Sequence, residues 1–383
     1  MSQAIVSEQS QSNPAGVPAS TPASWGAVAA IGIGAFALVT AEFLPVGLLP
    51  QIAKDLSVSE GQAGLMVTIP GVFAACAALL TIGLAGRFDR RHVLWFLLSL
   101  LVVSNLLVAS AASFDALLLG RVLLGVAVGG FWTIGGALGP RLRPEAAGKA
   151  TAIIFSGVSL GTVAGVPAGA LLGNLLGWRM AFGASAAVAL LVVGALIWLL
   201  PVLRPARSTG LSQIPAVLKL RKVQVGLAAV VLIFIGQFAA YTYITPFLNQ
   251  ISGIEAGVLS AVLLAYGLSG FFGNVFCGWV VERDVRLAVL GTSLILGMSL
   301  LLLLFTGTNP WFAVVAVVVW GFGFGMLPIA IQSWIFSAAP DRLESVAALF
   351  VSIAQLAIGA GALIGGLAVD HFGVESALWV TLA

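Results

Sequence analysis

Apolar residues run along this chain in long, nearly unbroken stretches, and short polar clusters interrupt them at roughly even intervals. Cutting at charges and turn residues leaves about twelve segments: 25–50, 61–85, 92–112, 115–138, 149–176, 180–203, 223–248, 255–281, 287–307, 310–337, 345–369 and 373 onward. Most hold the ~20 apolar residues that a helix needs to cross a ~30 Å hydrocarbon layer. Glycines and prolines inside them would damage soluble helices but are tolerated in membrane bundles. The pattern predicts an all-α integral membrane protein of twelve helices. The last segment, Gly373 to Ala383, has eleven residues, so the twelfth helix is expected to be truncated.

Composition strengthens this reading. Of 383 residues, 60% are hydrophobic and 8% charged, and mean hydropathy is +1.11; no soluble core could bury so much apolar surface. A pI near 9.1 would suggest nucleic acid in a soluble protein. Here the basic residues lie in short loops, so nucleic acid is not an expected partner. Fourteen of the 17 basic residues fall in alternate loops, against Lys54 and Arg179 on the other side and Arg121 within a span. The positive-inside rule makes that basic side, and the N-terminus, cytoplasmic. Residues 1–24 contain no Lys or Arg; they read as a disordered tail without the charged region of a signal peptide, so the first span should be retained. Cys76 and Cys277 lie in separate spans with no metal-binding spacing, and His92 and His371 stand at span ends. Neither a disulfide, a metal nor any cofactor is expected.

The chain repeats itself. Ala168-Gly-Ala-Leu-Leu-Gly173 recurs 192 residues later as Ala360-Gly-Ala-Leu-Ile-Gly365, and the loop around Arg90 and Arg91 has a counterpart at Arg283 and Arg286. The predicted organisation is a six-helix half over 25–203, a cytoplasmic connector over 204–222 with lipid headgroups as its partners, and a second half over 223–383. Two such halves around a central loop are a transporter architecture, with the substrate expected at their interface.

Two charges stand out because placing one in a span costs roughly 2.5–3.5 kcal/mol on insertion scales. Glu42 lies about 12 Å of helix before Pro50 and Arg121 about 9 Å after Asp115. Their spans run in opposite directions, which puts both at similar depth, close enough for an ion pair or a shared water network. Pro45 cannot bond the Ala41 carbonyl, so acceptors are expected beside the carboxylate. Desolvation favours a neutral acid and a nearby guanidinium the carboxylate, which suits Glu42 to exchange a proton for substrate. A static ion pair joining two helices is the plainer alternative. Gly157, Gly161, Gly165, Gly169, Gly173 and Gly177 form a four-residue series, either a sliding surface or simple close packing. Phe131, Trp132, Gln237, Tyr241, Gln332 and Trp334 are aromatic or polar residues within spans that would suit a largely apolar cavity.

The chain resembles the major facilitator superfamily, in its twelve-span drug:proton antiporter branch, near the bacterial sugar, ribonucleoside and chloramphenicol efflux permeases. The likeness rests on Thr40-Ala-Glu-Phe-Leu-Pro-Val-Gly-Leu-Leu-Pro50 in the first span, Leu117…Arg121…Gly125…Gly129 in the fourth, and Gly236-Gln-Phe-Ala-Ala-Tyr-Thr-Tyr-Ile-Thr-Pro246 in the seventh. It departs at Gly86, where the family's gate motif carries an acid, and at Gly165-Val-Pro167, where the family reads Gly-Pro. The resemblance implies a monomeric secondary transporter of the bacterial inner membrane that exports a small molecule in exchange for protons. It implies proton coupling at Glu42 and Arg121, and a substrate cavity lined by Phe43, Phe131, Trp132, Gln237, Tyr241, Gln332 and Trp334. It also implies gating by Arg87, Asp89, Arg90, Arg91, Gly165, Pro167 and Gly169. Symport, facilitated diffusion and a non-transporting sensor are weaker readings, because fold alone does not set direction. Two buried charges and no buried histidine argue against an intramembrane enzyme.

Overall fold

The computed structural model describes residues 24–84, 88–135, 138–203, 214–338 and 343–382. The N-terminal tail, most of the connector and Arg87 therefore lie outside the described residues. Among these, eleven helices are long and apolar enough to cross a membrane: α1 Trp25–Asp55, α2 Glu60–Thr81, α3 Arg90–Ala109, α4 Phe114–Gly135, α5 Pro144–Leu176, α6 Trp178–Leu199, α7 Arg221–Tyr241, α8 Gly257–Val281, α9 Val285–Thr306, α10 Pro310–Ile335 and α11 Leu349–Phe372. A short α12, Ser376–Leu382, follows. No strand occurs among the described residues, and the all-α membrane fold is as expected. Large apolar side chains such as Leu80, Leu191, Trp198, Leu232 and Phe305 point outward, as a lipid-facing surface requires.

Local rules explain the helix ends. Ser59 caps α2 in a reciprocal capping box with Gln62, and Asp89 caps α3 by accepting from the Arg91 amide at 2.8 Å. Asp284 does the same for α9. Within α5, one π turn spans Gly161–Gly165, just before Pro167. The extra residue in that turn absorbs the N–H and ring geometry that a proline denies to a regular helix.

The internal repeat is a repeat of packing. Gly165, Gly169 and Gly173 of α5 lie against Thr40, Leu44 and Leu48 of α1, while Gly361 and Gly365 of α11 lie against Ile235 and Ala239 of α7. In both halves a small-residue ridge on the fifth helix lets it approach the first helix closely. The glycine series is thus chiefly a seam inside one half. Its flank reaches across where Thr162 and Val163 meet Gly267 of α8.

The bundle has two unlike ends. At the end carrying Asp55 and Glu60 the halves are bolted together. Asp370 on α11 accepts from Ser59 Oγ at 2.7 Å and from the Gly61 amide at 3.0 Å. Gln250 donates to Glu60 at 2.8 Å, and the Tyr243 hydroxyl donates to the Ala362 carbonyl at 2.8 Å beside Gly61. Toward the basic end one seam between the halves thins: α8 packs on Gly161–Leu176 of α5 but makes no comparable contact with the preceding Ala147–Leu160 stretch.

Candidate functional site

The site grows out of three prolines and an arginine. Pro45 and Pro50 interrupt α1, and Pro70 interrupts α2. A proline at position i leaves the carbonyl of residue i−4 without its helical donor, so Ala41 and Met66 each present a bare carbonyl. Arg121, with no exposed surface, fills both vacancies from α4. Its Nη1 donates to the Ala41 carbonyl at 2.8 Å, its Nε to the Met66 carbonyl at 2.7 Å, and its Nη2 to the Glu42 carbonyl at 2.9 Å. One planar guanidinium thereby ties three helices at the points where two of them are broken. Glycines clear its path: a side chain at Gly125 would meet the Pro70 carbonyl, and one at Gly129 the Ala74 carbonyl.

This arrangement refines the sequence expectation. The ion pairs within 4 Å among the described residues are Arg143–Glu145 and Asp55–Arg179; Arg121 and Glu42 do not form a third. Arg121 acts on the Glu42 carboxyl through its field alone. The ion-pair alternative therefore fails in its literal form, because the proline-freed carbonyls outcompete the carboxylate for the guanidinium. Glu42 is 4% exposed and sits where the halves meet.

Across the interface the chemistry turns aromatic. Phe43 stacks on Phe238 at 5.5 Å and meets Tyr241 edge-on at 6.2 Å. Tyr241, Tyr266 and Phe324 form a triangle of rings in mutual contact, with Trp320 edge-on to Tyr241. Gln237 stitches this cluster: its Oε1 accepts from Trp320 Nε1 at 2.8 Å and its Nε2 donates to the Tyr266 hydroxyl at 3.1 Å. Tyr266, Trp320 and Phe324 were not among the residues picked from the sequence. They lie in uniformly apolar spans without a local pattern, and only the contact to Gln237 and Tyr241 marks them.

The remaining candidates separate clearly. Phe131 is fully buried in the core of the first half, packed against Gly34 and Gly135. Its neighbour Trp132, about 100° further round the helix, packs against the cores of both halves and stacks on Phe155 at 5.8 Å. Gln332 and Trp334 are half-buried on α10, with Trp334 beside Gly226. At the basic end, Asp89 also accepts from the Leu203 amide at 3.1 Å, and Arg91 lies over the Trp95 ring at 4.9 Å. Asp89 and Arg91 thus bind within their own half here. The side chains that join the halves at the opposite end, Ser59, Glu60, Gln250 and Asp370, carried no sequence signal beyond being polar residues at span ends.

A bundle of this kind, with a buried acid at the seam of two repeated halves, defines a membrane transporter. The sequence matches the Major Facilitator Superfamily over residues 31–362, and the chain belongs to that family; it is a transporter and not an enzyme. It is 37% identical over 356 residues to the purine ribonucleoside efflux pump NepI of Salmonella paratyphi B, covering 93% of this chain and 90% of the relative. The same figures hold for NepI of Salmonella typhimurium. Among solved structures, the nucleoside transporter NupG aligns with a TM-score of 0.72 at 13% identity, over 92% of this chain and 95% of NupG. A bacterial homologue of the human lysosomal transporter Spinster, in an inward-facing and occupied conformation, aligns with a TM-score of 0.71 at 18% identity, over 92% and 83%. These last two likenesses concern fold.

Proposed function

We propose that this protein exports purine ribonucleosides from the bacterial cytoplasm across the inner membrane, exchanging them for protons by alternating access. The basic end is cytoplasmic by the positive-inside rule. The contacts of Asp370 with Ser59 and Gly61, and of Tyr243 with Gly61, support reading this as a state closed outside, the one that would load substrate from the cytoplasm.

The observation that carries this reading is the adjacency of Glu42 and Phe43. A proton-binding acid and an aromatic face follow each other on α1, and Phe43 stacks directly on Phe238 in the second half. A purine inserted among Phe43, Phe238 and Tyr241 would stack as aromatic rings do, each such pair adding roughly 0.5–1.5 kcal/mol beyond area burial. It would also displace the contacts that surround the acid. Binding of base and proton are in this way coupled through one turn of helix. The driving force suffices: one charge moving down 100 mV supplies ~2.3 kcal/mol, and each pH unit ~1.4.

The test is accumulation of labelled inosine, adenosine and guanosine, with arabinose and chloramphenicol for comparison, in inverted vesicles with and without an acid lumen. Nucleoside accumulation that needs the gradient and disappears in Glu42→Gln is the expected result. Accumulation that survives in Glu42→Gln removes the acid from the coupling step. Equilibration indifferent to the gradient makes the protein a uniporter.

A further inference from the structure

A hollow opens at the surface of the first half, where the end of α1 meets the turn between α5 and α6. Its volume is about 600 Å³, and its lining includes Gln51, Lys54, Asp55, Leu176, Trp178 and Arg179. Gln51 donates to Asn174 and so ties the two elements together. Leu175, Leu176 and Met180 beside it point outward, as side chains facing lipid do. A hollow at the ends of spans and beside such residues stands at the level of the lipid headgroups.

Its charge differs from that of the face around it. The span ends on this side carry six acids, Asp55, Glu60, Asp115, Glu255, Asp370 and Glu375, against two basic residues, Lys54 and Arg179. Both basic residues line the one hollow, although they stand on different helices. Arg179 lies over the Trp178 ring at 4.2 Å, donates Nη1 to Asp55 Oδ2 at 2.5 Å and Nη2 to the Ala111 carbonyl at 3.0 Å. A guanidinium has five N–H donors, so three are left over. The ion pairs among the described residues leave Lys54 out. Asp55 Oδ2 also takes Trp178 Nε1 at 3.1 Å, which leaves Oδ1 to other donors.

We propose that this hollow holds the headgroup of an anionic phospholipid of the phosphoglycerol type, which bridges α1 and the α5–α6 turn. Two cations against one carboxylate leave a single net positive charge in the lining, the complement of one phosphodiester. Lys54 and the spare Arg179 N–H groups bind the phosphate oxygens by charge-assisted hydrogen bonds. The glycerol hydroxyls donate to Asp55 Oδ1, and the acyl chains run along the apolar side chains at Leu176. A soluble phosphate has no chains to place there. A choline headgroup has neither the net charge nor the hydroxyls. On the orientation adopted above, this lipid belongs to the outer leaflet.

The test is photo-crosslinking of the full chain in detergent with phosphatidylglycerol that carries a diazirine at the top of one acyl chain, mapped by proteolysis. Label is expected in residues 51–56 and 174–180. In Lys54→Gln, label there should fall about fivefold at sub-saturating lipid, the effect of one basic residue at a headgroup. Label in the basic loops of the opposite face should not change. Excess unlabelled phosphatidylglycerol should displace the label, while equal phosphatidylcholine or inorganic phosphate should not. Label confined to the opposite face, or unaltered in Lys54→Gln, overturns the proposal. Displacement by inorganic phosphate makes this a site for soluble anions, and equal displacement by phosphatidylcholine reduces it to ordinary lipid contact; either result overturns the proposal too. Should Lys54→Gln not reach the membrane, the mapping and the competition in the wild-type protein decide.

Discussion

In the first half, the residues at the interface are ionic: Glu42 and Arg121, set among carbonyls that Pro45 and Pro70 leave bare. At the seam of the second half they are aromatic: Tyr241, Tyr266, Trp320 and Phe324, held in place by one amide, Gln237. The helix packing around these two centres is nevertheless the same, with glycines of α5 on α1 and glycines of α11 on α7. Duplicated packing with divided chemistry shows that the scaffold sets how the helices approach, while a handful of side chains decide what each half handles. On the proposed function, the half with desolvated charge would take the proton and the half with rings would stack the purine. Phe43, stacked on Phe238, is one place where the first half reaches into the second.

The comparison is broken most severely at Arg121. Arg121→Met strands the Ala41 and Met66 carbonyls and leaves Glu42 without its compensating field, which should cost about 3–5 kcal/mol and abolish transport. Thermal unfolding in detergent and vesicle accumulation would both report it. Arg121→Lys should recover only part of the loss, because an ammonium is a point donor that cannot span three carbonyls on two helices.

The shared packing can be tested by a pair of variants. In Gly365→Val the new side chain meets the Ala239 carbonyl, which cannot move aside, whereas in Gly169→Val it meets the end of the Leu44 side chain, which can. The first should lose about 1–3 kcal/mol and the second clearly less, measured as unfolding midpoints. Equal losses would mean that Leu44 cannot move aside and that the two seams are equally rigid.

The aromatic centre is sharpened by Gln237→Leu, which deprives Trp320 Nε1 and the Tyr266 hydroxyl of their partners at a cost of about 1–3 kcal/mol. Its expected signature is a KM for nucleosides raised several-fold with an unchanged pH profile. A shifted pH profile would place proton coupling in both halves. The smallest effect is expected at the outer bolt. Asp370→Ala removes two hydrogen bonds to the start of α2, and the loss of about 1 kcal/mol should speed amide exchange across Glu60–Gly64 about fivefold.

Much of this was legible in the sequence. Spans follow from uninterrupted apolar length, because lipid-exposed backbone must satisfy its own hydrogen bonds and only a helix does so within one segment. The buried acid and base announced themselves by their cost, and Pro45 announced the bare Ala41 carbonyl that Arg121 occupies. Membership of the Major Facilitator Superfamily was likewise readable from three short signatures in order.

Other features were decided only when helices far apart in sequence came together. Whether Arg121 turns to the Glu42 carboxylate or to carbonyls depends on Met66, 55 positions away, and on the bareness that Pro70 imposes there. That Phe131 is core while Trp132 faces the seam depends on the rotation of α4 against its neighbours. Trp320 and Tyr266 look like filler in apolar runs, and each acquires a role from Gln237 in another helix. Sequence determines where hydrophobic burial must occur, since burial is a property of each segment's own length and composition. Which polar atoms satisfy one another depends on fixed distances and directions between segments, and the packing of the whole bundle sets those.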